Sequence, residues 1–338
     1  ENGIPRIDFL GNTKGALLLE PSRTNYSISS ELPSSWTYTE FGSGSVGTIT
    51  TGKKDMFGGT NAVQIDFPSD SENVSISFGS STSGLTSGDC NISIYVKLVE
   101  NGNKNLQLRA GFKGIVNVNS TEFKRVSLSG TKINSEAFNL KLRPSEGTSV
   151  GGFSIIVCLP QEENGSYATS YIPTQGSAVT RAQDDVNELT SATSLIGQNE
   201  GTLFLDFVAN DNDALQIIYQ VRTTGSANVG QVDFRIQNGT LRALGNDGAT
   251  NQFSILAGAP VEGTRYKCAV RYANNDVAFY VNGVLKGTDT SASFGSSSLN
   301  QIGFNENTGS FPPSVKVKQA DLYNTGLTNA ELQSLTTI

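Results

Sequence analysis

Residues 90–98 read CNISIYVKL, and their order decides the fold. Ile92, Ile94, Val96 and Leu98 share one side of an extended chain, while Asn91, Ser93, Tyr95 and Lys97 take the other. This is the pattern of an antiparallel strand with one face packed and one face wet. Working outward, the same period of two recurs in AVQIDF (62–67), NVSISF (73–78), NLQLRAGF (105–112), FKRVSLSG (123–130), FNLKLR (138–143) and GFSIIVCL (152–159). Gly, Ser and Asn fill the gaps, so the series reads as an antiparallel sandwich. GFSIIVCLP is apolar on both faces, which predicts a central strand that Pro160 ends.

The stretch from Gln161 to Glu200 has no clear strand period and separates this series from a second one. GTLFLDFVA (201–209) and ALQIIYQVRT (214–223) open the second series, followed by the hairpin GQVDFRIQNGTLRAL with Asn238-Gly239 at its turn. RYKCAVRYANNDVAFYVNGVLKGT turns at Asn274-Asn275-Asp276 and again at Asn282-Gly283, and LNQIGF and VKVKQADLY complete a second sandwich of seven or more strands. Thr328-Asn329-Ala330-Glu331 has capping-box spacing, predicting a short helix over 329–336. The reading is an all-β chain of two antiparallel β-sandwich (jelly-roll) domains in tandem with a short C-terminal helix. Its expected parts are a connecting segment 1–15, a sandwich 16–175, a junction 176–198 and a sandwich 199–338.

Composition removes several functions. Among 338 residues there are 24 Lys and Arg against 31 Asp and Glu, a net charge of -7, which argues against binding the phosphates of nucleic acid. With no histidine, Ser-His-Asp and Cys-His catalysis lack their base. No glycine-rich phosphate loop ending in Lys-Ser or Lys-Thr follows a strand. Glycoside hydrolysis on a jelly roll would call for a Glu-x-Asp-x-x-Glu strand, which is missing, and Asp206 and Asp233 stand alone on what read as solvated strand faces. An enzyme is therefore not expected. No apolar run approaches the roughly 20 residues of a membrane helix, so membrane insertion is not expected either. The three cysteines are far apart without a CxxC pair, and Cys158 and Cys268 lie in apolar strands, so free buried thiols are expected. The chain opens on Glu1 with Met56 as its one methionine, which reads as a fragment or a processed product.

Two further stretches carry a resemblance. ALLLEPSRTNY (16–26) and SYIPTQGSAVTRAQD (170–184) look like the flanking signature of a domain found in bacteriophage tail-fibre and head-fibre proteins, with a carbohydrate-binding-module-like jelly roll between them. The second half, with GTLFLDF, VAFYVNGVLKGT and QADLYNTGLTNAELQSLTT, resembles the laminin-G-like or concanavalin-A-like jelly roll. The flanking motifs read as scaffold: the leucines as a strand entering the first sandwich, and Glu20 and Arg23 paired with each other or with the junction. Arg181 and Asp184 take the same structural reading on the far side.

The resemblance implies a non-enzymatic virion fibre or receptor-binding region, made in the host cytoplasm, recognising a bacterial surface polysaccharide or glycan and trimeric in the full-length fibre. A secreted or surface-anchored bacterial polysaccharide-binding protein is the alternative. Sugar binding needs aromatic platforms beside hydrogen-bonding side chains. Trp36, Tyr38, Tyr219 and Tyr272 are the candidate glycan-stacking residues, each open also to a place in a core, and Tyr280 shares that ambiguity. Asp211 and Asp213, short acids at i and i+2, form a candidate calcium loop that lacks full EF-hand spacing.

Overall fold

The computed structural model describes residues 6–9, 15–40, 47–67, 74–78, 85, 88–133, 141–144, 152–184, 186, 189–211, 215–225, 229–305 and 311–338. They form two compact units: Ser22–Ala182, and Glu1–Pro21 joined to Gln183–Ile338.

The Ser22–Ala182 unit is a sandwich of two five-stranded antiparallel sheets. One runs in the order Lys124–Thr131, Asp89–Leu98, Phe153–Asn164, Ala62–Phe67, Thr48–Lys53; the other in the order Lys113–Val118, Lys104–Arg109, Lys141–Pro144, Val74–Ser77, Thr37–Glu40. The alternation in CNISIYVKL does what it predicts: Ile92, Ile94, Val96 and Leu98 join Val63, Ile65, Leu106, Leu108, Ile155 and Val157 in one core. Each such buried aliphatic side chain contributes about 1.5–3 kcal/mol. The strand that Pro160 was expected to end instead runs from Phe153 to Asn164. Leu159 takes a φ of 54°, and the register shifts between Cys158 and Gln161. The bulge thus falls where Pro160, lacking an N–H, has no ladder bond to lose.

The other unit packs a seven-stranded sheet, ordered Ile7–Asp8, Ala16–Leu19, Val315–Tyr323, Glu200–Ala209, Arg265–Ala273, Val277–Val281, Val284–Asp289, against a six-stranded one. The latter is ordered Leu189–Thr190, Gln301–Gly303, Gln216–Arg222, Gln231–Gln237, Thr240–Asp247, Thr250–Gly258. Its core holds Leu203, Leu205, Phe207, Val232, Phe234, Val270 and Phe279. Positive φ at Asn238 and Gly239, and again at Asn282 and Gly283, gives both tight hairpins the primed turns their sequences favour. The helix Asn329–Thr336 starts with the expected reciprocal cap, Glu331 N donating to Thr328 Oγ1 at 3.3 Å and Thr328 N to Glu331 Oε2 at 2.7 Å.

The leucine run does not enter the first sandwich. Leu17 pairs with Val317 and Leu19 with Val315, and Leu19 is buried in the core of the discontinuous unit. The strand is paired on both sides, by Ile7–Asp8 and Val315–Tyr323, and Ala16, Leu18 and Leu19 are buried, as a strand apolar on both faces requires. Residues 16–21 therefore lie with the second sandwich, and 176–182 with the first.

Candidate functional site

The aromatics chosen from sequence go to the interior. Trp36 meets Phe78 edge-on at 4.8 Å, and its Nε1 donates to Ser29 O at 2.8 Å, so the indole is buried and satisfied. Tyr272 is 0% exposed, with its hydroxyl donating to Gly197 O at 2.8 Å. Tyr219 packs on Phe304 at 5.3 Å, Tyr280 is buried beside Leu332, and burial drives the Tyr219 and Tyr272 hydroxyls well above the usual phenol range. Tyr38 is half-buried against the same core as Trp36, its hydroxyl has no partner, and burial pushes its pKa up to about 12. Trp36, Tyr219, Tyr272 and Tyr280 are thus spent on the interior, where large aromatics contribute most, and Tyr38 is the one of the five left partly open. Asp211 O accepts from Gln216 Nε2 at 3.2 Å, and Asp213 lies outside the described residues. Among the described residues no group of three or more acidic or cysteine side chains is placed to hold a metal ion.

The lone strand acids are not solvated as expected. Asp206 takes the Nε of Arg265 at 2.8 Å, and fully buried Asp233 takes the Nε of Arg235 at 2.7 Å and the amide of Gln231 at 3.0 Å. An arginine at i+2 or on the adjacent strand shares the face and supplies the counter-charge that burial demands.

Exposed aromatic chemistry is found at a turn the sequence reading passed over, KKDMFGGTN (53–61). The Asp55 carboxylate accepts from Phe57 N at 2.8 Å, Gly59 N at 3.0 Å and Asn61 N at 3.4 Å, which fixes the loop. Gly58 has a φ of +89°, and a Cβ on Gly59 would meet Asp55 Oδ2 at 2.6 Å, so both glycines are required. Phe57 stands at the tip, 67% exposed. Its ring stacks on Tyr171 at 6.2 Å and meets Tyr95 edge-on at 6.0 Å.

Tyr95 is there because the alternation of Asp89–Leu98 turns it away from the core. Its cross-strand partner Arg125 sits 5.7 Å over its ring while donating through Nη2 to Ser93 Oγ at 2.8 Å. Two residues further on, the ammonium of Lys97 lies 4.8 Å over Phe123. The result is a strip of rings on the outer sheet face, with two cations among them and one ring facing solvent.

The flanking motifs hold this strip. Asn25 donates to Ile172 O at 2.8 Å and accepts from Ser27 N at 3.0 Å and Glu162 N at 3.1 Å. Arg23–Asn25 pairs antiparallel with Val179–Arg181. Ser30 and Thr174 exchange backbone-to-hydroxyl bonds of 2.9 Å in both directions, and Ser30 Oγ bonds the Tyr171 hydroxyl at 2.7 Å. Buried Glu163 receives Thr169 Oγ1 at 2.7 Å and Gln161 Nε2 at 2.9 Å; desolvation raises its pKa against the pull of these bonds. Arg23 stacks on Tyr167 at 5.5 Å, while Glu20, paired in expectation with Arg23 or the junction, is bridged by Arg6. Arg6 donates to Glu20 Oε2 at 2.8 Å and to Asp184 Oδ1 at 2.8 Å. The signal for the turn was present, in Asp55 followed by Gly58-Gly59, and Phe57 lies within it.

No protein-family model and no curated protein matches the chain. Among solved structures it is similar to the CBM40 of Ruminococcus gnavus IT-sialidase, at 15% identity and TM-score 0.39, over 46% of this chain and 96% of that one. It is also similar to the leech intramolecular trans-sialidase, at 17% identity and TM-score 0.39, over 46% of this chain and 27% of that one. A third is the SAP-like pentraxin of Limulus polyphemus, at 17% identity and TM-score 0.35, over 41% of this chain and 70% of that one. At these scores the likeness is partial and defines no family.

Proposed function

We propose that the chain is a non-catalytic glycan-binding region of a bacteriophage fibre, and that the Phe57 strip is its contact surface for a bacterial surface polysaccharide. The observation that carries the reading is the solvent-facing Phe57 ring on a rigid turn, backed by Tyr171 and Tyr95. A pyranose presents an apolar face rimmed by hydroxyls, which suits an exposed ring edged by hydrogen-bonding side chains. One stacking contact supplies about 1 kcal/mol, so a single site works at millimolar to micromolar affinity, and a trimeric fibre would gain avidity without new contacts. Support for the fibre assignment comes from the flanking motifs: they resemble those of fibre proteins, and here they clasp one another around the sandwich. The absence of histidine from the sequence and the arginine pairing of Asp206 and Asp233 favour binding over chemistry.

Binding of the purified protein to isolated envelope polysaccharide and to host cells tests this directly. Phe57→Ala should weaken binding about fivefold with an unchanged melting temperature, since an exposed ring adds little to the fold. Unchanged binding would remove the platform, and release of reducing ends from the polysaccharide would remove the non-catalytic reading. Competition with phage adsorption tests the fibre role.

A further inference from the structure

The outer face of the sheet containing Lys104–Arg109 is built against its own charge. The five strands of this sheet, KNLQLR, KGIVNV, KLRP, VSIS and TYTE, hold five Lys and Arg and a single acid, Glu40, in a chain of net charge -7. Leu106 and Leu108 pack in the core, so alternation turns Asn105, Gln107 and Arg109 to the other face. The register then sets Arg109 between Lys113 and Lys141, and the row runs on through Ser77 to Thr37. In the next row Gln107 lies between Ile115 and Arg143, and beyond it Asn105 is opposite Asn117. Like charges directly opposite one another destabilise a sheet, and a face needed only to be wet would gain from an acid at one of the three cationic positions.

We infer that this face is a second binding site, for an acidic polysaccharide whose carboxylate or sulfate groups lie along the Arg109 row. The face is open: Ile115 is 59% exposed, Asn105, Lys113 and Asn117 are exposed, and Arg109 is half-buried. Among the described residues the Arg109 guanidinium enters no ion pair and no hydrogen bond, so its five N–H donors face a ligand unspent. A guanidinium takes two oxygens of a carboxylate or a sulfate in parallel bonds. Strands lie about 4.8 Å apart, so the three cationic positions span about 10 Å, wider than one small anion and suited to successive charges on a polymer. Beside them Asn117 donates to Asn103 and, at 2.9 Å, to Asn105, which fixes a row of amides for sugar hydroxyls. Ile115 adds an apolar contact. Tyr38 packs towards the core, and among the described residues the face has no ring on which a nucleic-acid base could stack, so a sugar polymer is the better match than a single strand.

This site requires no part of Phe57, so the test uses the whole chain carrying Phe57→Ala, which keeps the platform out of the measurement. It is titrated with polygalacturonate, dextran sulfate, neutral dextran and duplex DNA at rising salt. Both acidic polysaccharides should bind and weaken as salt is raised, with dextran about tenfold weaker, and the tighter of the two assigns carboxylate or sulfate. Adding Arg109→Gln should reduce affinity for that polymer about fivefold while the melting temperature holds or rises, because the substitution relieves repulsion on both sides of the row. Lys141→Gln, at the neighbouring register position, should act in the same direction and keeps the comparison intact should the first variant disturb folding. Equal affinity for dextran, tighter binding of duplex DNA, acidic-polymer binding already abolished by Phe57→Ala, affinity unchanged in both variants, or a melting temperature that falls with the affinity in both would each overturn the assignment.

Discussion

The two sandwiches treat positive charge in opposite ways. In the discontinuous unit the described ion pairs join Arg6 to Glu20 and Asp184, Arg235 to Asp233, Arg265 to Asp206, Arg271 to Asp276 and Lys316 to Asp8. Among the described residues of Ser22–Ala182, four cations lie on rings: Arg23 on Tyr167, Lys97 on Phe123, Lys104 on Phe153 and Arg125 on Tyr95. Its buried carboxylates are held by amides and a hydroxyl instead, as at Asp55 and Glu163. A cation neutralised by a carboxylate is structural and has little left to offer a ligand. A cation resting on a ring keeps its full charge in a partly dry setting, where a sugar carboxylate finds it more readily than in water.

The largest effect should come from the ion pairs of the discontinuous unit. Asp233→Ala strands Arg235 in a buried site and is expected to cost about 3–5 kcal/mol in urea unfolding, with no direct effect on the Phe57 strip. A loss below about 1 kcal/mol, the level of an exposed pair, would show that the pair is not the structural element the contrast requires. Next, Asn25→Ala removes four bonds from the clasp of Ser22–Ala182 and should cost about 3 kcal/mol while weakening polysaccharide binding through Tyr171; unfolding and binding measured together would reveal whether the two effects separate. Cations on rings should show the reverse pattern: Lys97→Met should change stability by no more than about 0.5 kcal/mol yet weaken binding to anionic polysaccharide, seen as a shallower salt dependence.

Acid stability sharpens the comparison further. Burial works to raise the Asp247 pKa, but hydrogen bonds from Ser297 and Ser296 outweigh it and hold the carboxyl below its ordinary range. A carboxyl lowered on folding stabilises above its unfolded pKa, and that contribution disappears as pH falls through the folded value. Asp247→Asn should therefore lower the melting temperature at neutral pH and lose that effect in strong acid; an equal loss at both would assign the contribution to packing. Smallest is the thiol response. Cys90, Cys158 and Cys268 are buried and joined in no disulfide, and burial pushes the Cys158 pKa up to about 12. A thiol reagent should find none of them in the native protein and three after unfolding without reductant.

Much of this architecture was legible because each strand carries its own period. The alternation at Ile92–Leu98, the Asn-Gly turns and the Thr328 cap are local, and local chemistry survives in the folded chain. What was not legible depends on distant partners. Nothing in ALLLEP announces Val315 and Val317 as its neighbours, and nothing beside Trp36 announces Phe78. Pro160 misled because a bulge at Leu159 absorbs it. The strip joins Phe57, Tyr95 and Tyr171, three residues on separate segments, so only the outward turn at Phe57 could have been read in advance.

The insertion of Ser22–Ala182 between Ala16–Leu19 and its partner Val315–Tyr323 bears on how the chain is made. On a ribosome the leucine strand emerges about 300 residues before the strand that covers it. At about 5–20 residues per second the gap is on the order of tens of seconds, during which the inserted sandwich has every strand it needs and the leucine strand has an open edge. Synthesis therefore leaves a sticky apolar ribbon hanging from a finished domain, and a chain that stalls before residue 315 is left with that ribbon uncovered. Emergence of residues 315–317 is the event that covers residues 17–19.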